Sequence, residues 1–143
     1  MKDLHSNIQL ARALSPINVG GNDAQVSQII DRAGFDALTF AILTGVLSDS
    51  NAEFTVLVEH DDASGFGTAA AVPDTKLIGT EAGASFSFDD DNKQIKISYI
   101  GEKRYVRMTI TPSGNAAATA TTVIAVVAIL GHPRTAPKSA QVT

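Results

Sequence analysis

A chain of 143 residues with 44% hydrophobic composition is the size of one domain, large enough to bury about two-thirds of the surface its unfolded form exposes. Eleven Lys plus Arg against 15 Asp plus Glu give a formal charge of −4, so the chain lacks the basic excess of a dedicated nucleic-acid binder. The absence of cysteine excludes disulfides, thiolate catalysis and Cys-based zinc sites.

Residues 1–25 contain Ser15-Pro16 and Val19-Gly-Gly-Asn-Asp23, which interrupt a helical period and favour loop or extended backbone. They are expected to form an N-terminal arm, with no secretory leader behind the lone Lys2. From Val26 the pattern turns to strand. Leu38, Phe40 and Ile42 alternate with Thr39, Ala41 and Leu43 until Gly45 breaks the strand or introduces a bulge. Phe54, Val56 and Val58 alternate with Thr55, Leu57 and Glu59, and the first trio is expected in the core.

Residues 60–83 are rich in Gly, Ala, Asp and Thr and read as a long connection with one short strand at Lys76 to Ile78. Phe86 and Phe88 then lead through an acidic turn, Asp89-Asp-Asp-Asn92, to a strand bearing Ile95, Ile97 and Tyr99. In the next strand Val106, Met108 and Ile110 occupy one face, and Tyr105, Arg107, Thr109 and Thr111 the other. Val123 to Leu130 is apolar on both faces, which suits an interior strand or one covered by a neighbouring subunit. Its Val, Ile and Thr content favours sheet over helix, and the run is far short of the ~20 residues of a membrane helix.

These elements predict a mainly β chain: an antiparallel β-sandwich or jelly roll over 26–131, with extended arms at 1–25 and 132–143. Pro133 and Pro137 hold the C-terminal tail out of any regular central strand.

Catalytic patterns do not converge. Gly65-Phe-Gly67-Thr-Ala-Ala70 has the glycine spacing of a dinucleotide loop, but Val72-Pro73 forbids the helix that would receive the pyrophosphate. Asp61-Asp62 and Asp89 to Asn92 offer hard oxygen ligands that could share a calcium ion, yet neither has EF-hand spacing; acidic turns explain them without a metal. His5, His60 and His132 stand in separate segments without metal-ligand spacing. Gly-x-Ser-x-Gly does not occur, and a carboxylate pair such as Glu59 with Asp61 lacks a sugar platform in a chain with no Trp and two Tyr. No catalytic residue, metal ligand or cofactor is therefore expected, and the chain is read as non-enzymatic.

The cations do cluster. Lys103, Arg104 and Arg107 lie together on one strand, and Gly131-His132-Pro133-Arg134 closes the last one. These six residues, Lys103, Arg104, Arg107, His132, Pro133 and Arg134, are the candidate partner-binding set, the arginines through their planar fork on carboxylates.

Five short pieces carry a resemblance: Met1-Lys-Asp-Leu-His-Ser-Asn-Ile8, Ser27-Gln-Ile-Ile-Asp-Arg-Ala-Gly-Phe35, Thr55-Val-Leu-Val-Glu-His-Asp-Asp62, Tyr99-Ile-Gly-Glu-Lys-Arg-Tyr-Val-Arg107 and Leu130-Gly-His-Pro-Arg134. In order, they resemble small virion structural proteins of tailed bacteriophages, of the capsid decoration or minor capsid type. The resemblance implies a protein made in the host bacterial cytoplasm and carried on the capsid surface, with no nucleic-acid or membrane partner. It implies that the protein binds the major capsid protein and itself, as a homotrimer by analogy with decoration proteins as a class. The alternative is a receptor- or carbohydrate-binding β-sandwich of a tail tip or head fibre, recognising its ligand through the Asp61 to Pro73 loop, which holds Asp62 and Phe66.

Overall fold

The computed structural model describes residues 2–116 and 120–136. In chain order the elements are β1 (Ile8–Asn18), β2 (Gln25–Val26), β3 (Ile30–Asp31), β4 (Phe35–Leu47), β5 (Glu53–Asp61), β6 (Ala70–Ala71), β7 (Leu77–Ile78), α1 (Glu81–Ala84), β8 (Phe86–Ser87), β9 (Gln94–Tyr99), β10 (Tyr105–Ser113) and β11 (Thr122–Pro133), with single 3-10 turns at His5–Asn7 and Asp74–Lys76. They form an antiparallel β-sandwich. One sheet runs β1-β11-β4-β9-β7; the other runs β2-β10-β5-β6, with β3 also on β10 and β8 on β5.

Alternation builds the core. Across the first sheet, Leu130, Leu38, Tyr99 and Leu77 stand side by side, as do Ala128, Phe40 and Ile97, all facing inward and buried. The second sheet answers with Val58 beside Met108, Val56 beside Ile110 and Phe54 beside Pro112. Phe54 also stacks on Phe86 at 4.7 Å between ring centroids, which ties β8 to the core. Each fully buried aliphatic or aromatic side chain contributes about 1.5–3 kcal/mol relative to exposure.

The β5 trio expected in the core is buried, as are Leu38, Phe40 and Ile42 of β4 and Val106, Met108 and Ile110 of β10, and Gly45 lies where the β4–β11 register shifts. The short strand expected near Lys76 to Ile78 is β7.

Two expectations need correction. Residues 8–18, assigned to an arm, form β1, which pairs with β11 from Ile8 opposite Gly131 to Asn18 opposite Val123. Ser15-Pro16 does not end the strand because β1 is an edge. A missing N–H costs no ladder bond there, and register shifts between Arg12 and Ile17 absorb the proline. The tail begins later than expected, since β11 runs through His132 to Pro133 and the Arg134 N–H donates to the Gly34 carbonyl at 2.9 Å. The remainder of that expectation, 137–143, lies outside the described residues.

The connection 60–83 carries an element that was not predicted. Thr80 caps α1 by accepting from the Gly83 N–H at 2.9 Å. Its side chains then cover a gap on the edge of β5: the Glu81 carboxylate accepts from the Val58 N–H at 2.6 Å, and Ser85 Oγ from the Val56 N–H at 3.0 Å. β6 pairs with Glu59 and His60, and β8 with Glu53 and Phe54, so these two side chains stand in where no strand does.

Candidate functional site

Three segments distant in sequence meet at one end of the sandwich. The β3–β4 turn supplies Arg32, Ala33, Gly34, Phe35 and Asp36; the β9–β10 loop supplies Gly101, Glu102 and Arg104; and Arg134 follows β11. Together they line an open cleft of about 550 Å³. Local chemistry shapes the turn: Asp31 accepts from the Ala33 N–H at 2.9 Å, and Gly34 takes the left-handed conformation, φ 86°, that glycine adopts without strain.

Each guanidinium in the cleft is held differently. Arg104 makes two 2.8 Å bonds to Asp31, a planar fork on a carboxylate, which lowers the Asp31 pKa and raises its own. Arg134 donates to Asp36 at 2.9 Å and remains exposed. Arg32 forms the floor at 9% exposure, donating to the Lys103 carbonyl at 2.6 Å and the Asp36 carbonyl at 3.4 Å. Its guanidinium lies 4.8 Å from the Tyr99 ring centroid, and its Nε has no hydrogen-bond partner. Burial lowers its pKa first and Arg134 adds repulsion, while Tyr99 and Asp36 act in the opposite sense. The group stays a cation.

Behind the cleft, Tyr99 spans the two sheets. Its hydroxyl accepts from the Lys103 N–H at 3.0 Å and lies 2.8 Å from His60 Nδ1 on β5. Gly101 makes room for it, since a Cβ there would overlap the Tyr99 hydroxyl and ring.

The six predicted binding residues part company. Arg104 and Arg134 share the cleft, whereas Lys103 reaches outward to Asp62 at 2.9 Å and gives the cleft wall only its carbonyl. Arg107 is on the outer face of the second sheet, paired with Glu59 at 2.8 Å and stacked over the Phe66 ring at 4.6 Å. His132 and Pro133 border a separate shallow depression with Leu4, Ile8 and Ile129 on the outer face of the first sheet. His132 is itself in a left-handed conformation, φ 50°, an uncommon one for a non-glycine residue. Arg32 was absent from the predicted set. Its one signal was position, a cation between the apolar Ile29-Ile30 and the Ala33-Gly34 turn.

The other motifs resolve by geometry. The Gly65 to Ala70 stretch runs from the loop after β5 into the start of β6 and opens no helix. Asp61 organises it, accepting from the N–H groups of Asp62, Ala63 and Thr68 and from the Thr68 hydroxyl at 2.7–3.2 Å. Burial raises the Asp61 pKa, but these bonds outweigh it and leave the pKa at about 2. Asp61 ends β5, whereas the Asp89 to Asn92 turn follows β8, which pairs with the start of β5; the two acidic loops occupy opposite ends and share no ion. Asp90 and Asp91 accept instead from the Ser87 and Leu47 N–H groups. Among the described residues no group of three or more His, Asp or Glu is arranged to hold a metal. Phe66, the aromatic of the alternative recognition loop, is buried beneath Arg107.

Neither a protein-family model nor a curated protein sequence matches this chain. Among solved structures, the PBSX exported protein XepA aligns with 100% of the chain at TM-score 0.58 and 11% identity. The chain spans 43% of that protein's length. The N-terminal cellulose-binding domain of Cellulomonas fimi β-1,4-glucanase C aligns with 88% of the chain, and 89% of that domain, at TM-score 0.47 and 8% identity. At 11% identity the likeness to XepA is one of fold.

Proposed function

We propose that the protein is a non-enzymatic structural component of a tailed-phage virion that binds the major capsid protein at the capsid surface and so decorates and stabilises the head. The observation that carries this reading is the difference between the two outer faces of the sandwich. On the second sheet Arg107 faces Glu59, Thr111 faces Thr55 and Thr109 lies between Leu57 and the half-exposed Val26, a surface that is mostly polar and ion-paired. On the first sheet the outward rows are apolar. Leu10, Ile129, Thr39, Ser98 and Ile78 lie abreast across all five strands, with Ile8, Gly131 and Ala37 on one side of that row and Val127 with Ala41 on the other. Leu10, Leu43 and Ile78 are 41%, 51% and 61% exposed. A largely apolar sheet face of this kind, interrupted at its centre by the hydrogen-bonded Thr39 and Ser98 hydroxyls, marks an interaction surface.

Charge selects the occupant. Arg12 and Lys96 flank the Val127–Ala41 row, one at each side, and among the described residues neither is in an ion pair; the outward rows hold no carboxylate. Two copies laid face to face would set cations near cations. The face suits a different protein, with an apolar centre and carboxylates at its margins, and this is the role given to the shell protein. Self-association, as a homotrimer by analogy with decoration proteins as a class, then uses other surfaces.

The test is co-sedimentation of the purified protein with expanded heads that lack it. Wild type is expected to pellet with the heads, and Leu43→Glu to lose at least tenfold in affinity while keeping its melting temperature. Absence of wild-type binding at tens of micromolar, about 6 kcal/mol of affinity, overturns the reading.

A further inference from the structure

We infer that the arginine-floored cleft at the end of the sandwich is a carboxylate-binding site, and that its ligand is a side-chain or terminal carboxylate of an extended protein segment. The inference goes beyond the capsid reading, because it concerns the end of the sandwich and not the apolar face.

Charge accounting at the cleft leaves one cation over. Arg104 is neutralised by Asp31, Arg134 by Asp36, and Glu102 is 3.7 Å from Lys76. Among the described residues, Arg32 has no carboxylate within ion-pair distance. A guanidinium nine-tenths buried, which donates to two carbonyls and lies against a ring face, feels the Asp36 carboxylate without pairing to it and keeps its Nε unpartnered, is an under-satisfied charge. Bringing an anion over it offsets that cost.

The walls can complete the contact. Arg104 binds Asp31 through Nε and one terminal nitrogen, and Arg134 binds Asp36 through Nε, so both keep N–H donors for a second acceptor. A planar carboxylate is the acceptor that matches such forks.

The same walls discriminate between anions. Asp36 and Glu102 line the cleft and repel a doubly charged phosphate, while the single surplus cation matches a single negative charge. Ala33, Gly34 and Gly101 supply small residues along the cleft, which let the backbone of an extended segment approach closely. The volume, about 550 Å³, is within the range that holds a ligand of a few residues.

The experiment titrates isotope-labelled full-length protein with three probes while the Gly34 and Gly101 amide resonances are followed. One probe is a tripeptide with a central glutamate and both termini blocked, the second a blocked-amine triglycine with a free C-terminus, and the third inorganic phosphate. At least one peptide is expected to produce saturable shifts at both glycines, and the one that binds identifies the carboxylate as side-chain or terminal. Arg134→Gln, at an exposed position, is expected to weaken that binding at least fivefold with an otherwise unchanged spectrum, and Arg32→Gln to abolish it. Failure of both peptides to give saturable shifts overturns the inference, as does unweakened binding in Arg134→Gln. Tighter binding of phosphate than of either peptide overturns the assignment to a carboxylate.

Discussion

The Tyr99 hydroxyl lies 2.8 Å from His60 Nδ1 and so joins a strand of each sheet across the end of the sandwich. The same hydroxyl oxygen accepts from the Lys103 N–H, and its remaining lone pair and proton let it meet either imidazole tautomer of His60. Burial first, then the Lys103 charge, lowers the His60 pKa; Asp62 and Asp61 act in the opposite sense.

A folded-state pKa below the unfolded value of 6.5 means that the unfolded chain binds more protons between the two values. The stabilisation is complete above 6.5 and is lost as pH falls through the folded pKa. The melting temperature is expected to drop between pH 7 and pH 5, and His60→Phe to flatten that part of the profile. An unchanged slope in the variant would assign the acid sensitivity elsewhere.

Asp61 places a second loss at lower pH. With its pKa at about 2 against an ordinary 3.8, its contribution is full above 3.8 and disappears as pH falls towards 2. The four bonds it accepts define the loop from Asp62 to Thr68. Asp61→Ala is expected to make that loop the first site of proteolytic cleavage at neutral pH, with mass spectrometry locating the cut.

Glu81→Ala removes the acceptor for the Val58 N–H on the part of the β5 edge that neither β6 nor β8 covers. The expected cost is about 1–3 kcal/mol, read from urea unfolding. Glu81→Gln retains an acceptor oxygen and is expected to lose less than half as much. Equal losses would mean that the carboxylate charge, not the edge bond, matters.

Gly101→Ala places a methyl group against the Tyr99 ring and hydroxyl, which the core fixes on the other side. Overpacking of this kind costs about 1–3 kcal/mol. Gly65→Ala, with open space around its Cβ, is expected to leave the melting temperature unchanged and serves as the control.

The in-and-out alternation of β4, β5 and β10 is legible from residue order, because a two-residue period needs no knowledge of the partner strand. β1 is not, since Pro16 and Gly20-Gly21 are breakers everywhere except on an edge, and edge position is a property of the assembled sheet. The four residues of α1 are too few to show a helical period. Ion pairs such as Arg107–Glu59 and Arg104–Asp31 depend on register between β10 and its neighbours. Arg32 escaped notice for the same reason: what buries it is a loop about seventy positions away, whose Lys103 carbonyl accepts from its guanidinium.

The position of β11 between β1 and β4 bears on how the chain is made. Among the described residues β1 has no other strand neighbour, so during synthesis residues 8–18 lack their strand partner until residues 122–133 leave the ribosome. Pairings so distant in sequence fold slowly and expose strand edges meanwhile. Pro16 and the register shifts of β1 thus protect the nascent chain as well as the finished edge, and replacing that proline with a β-branched residue would be felt first as aggregation during expression.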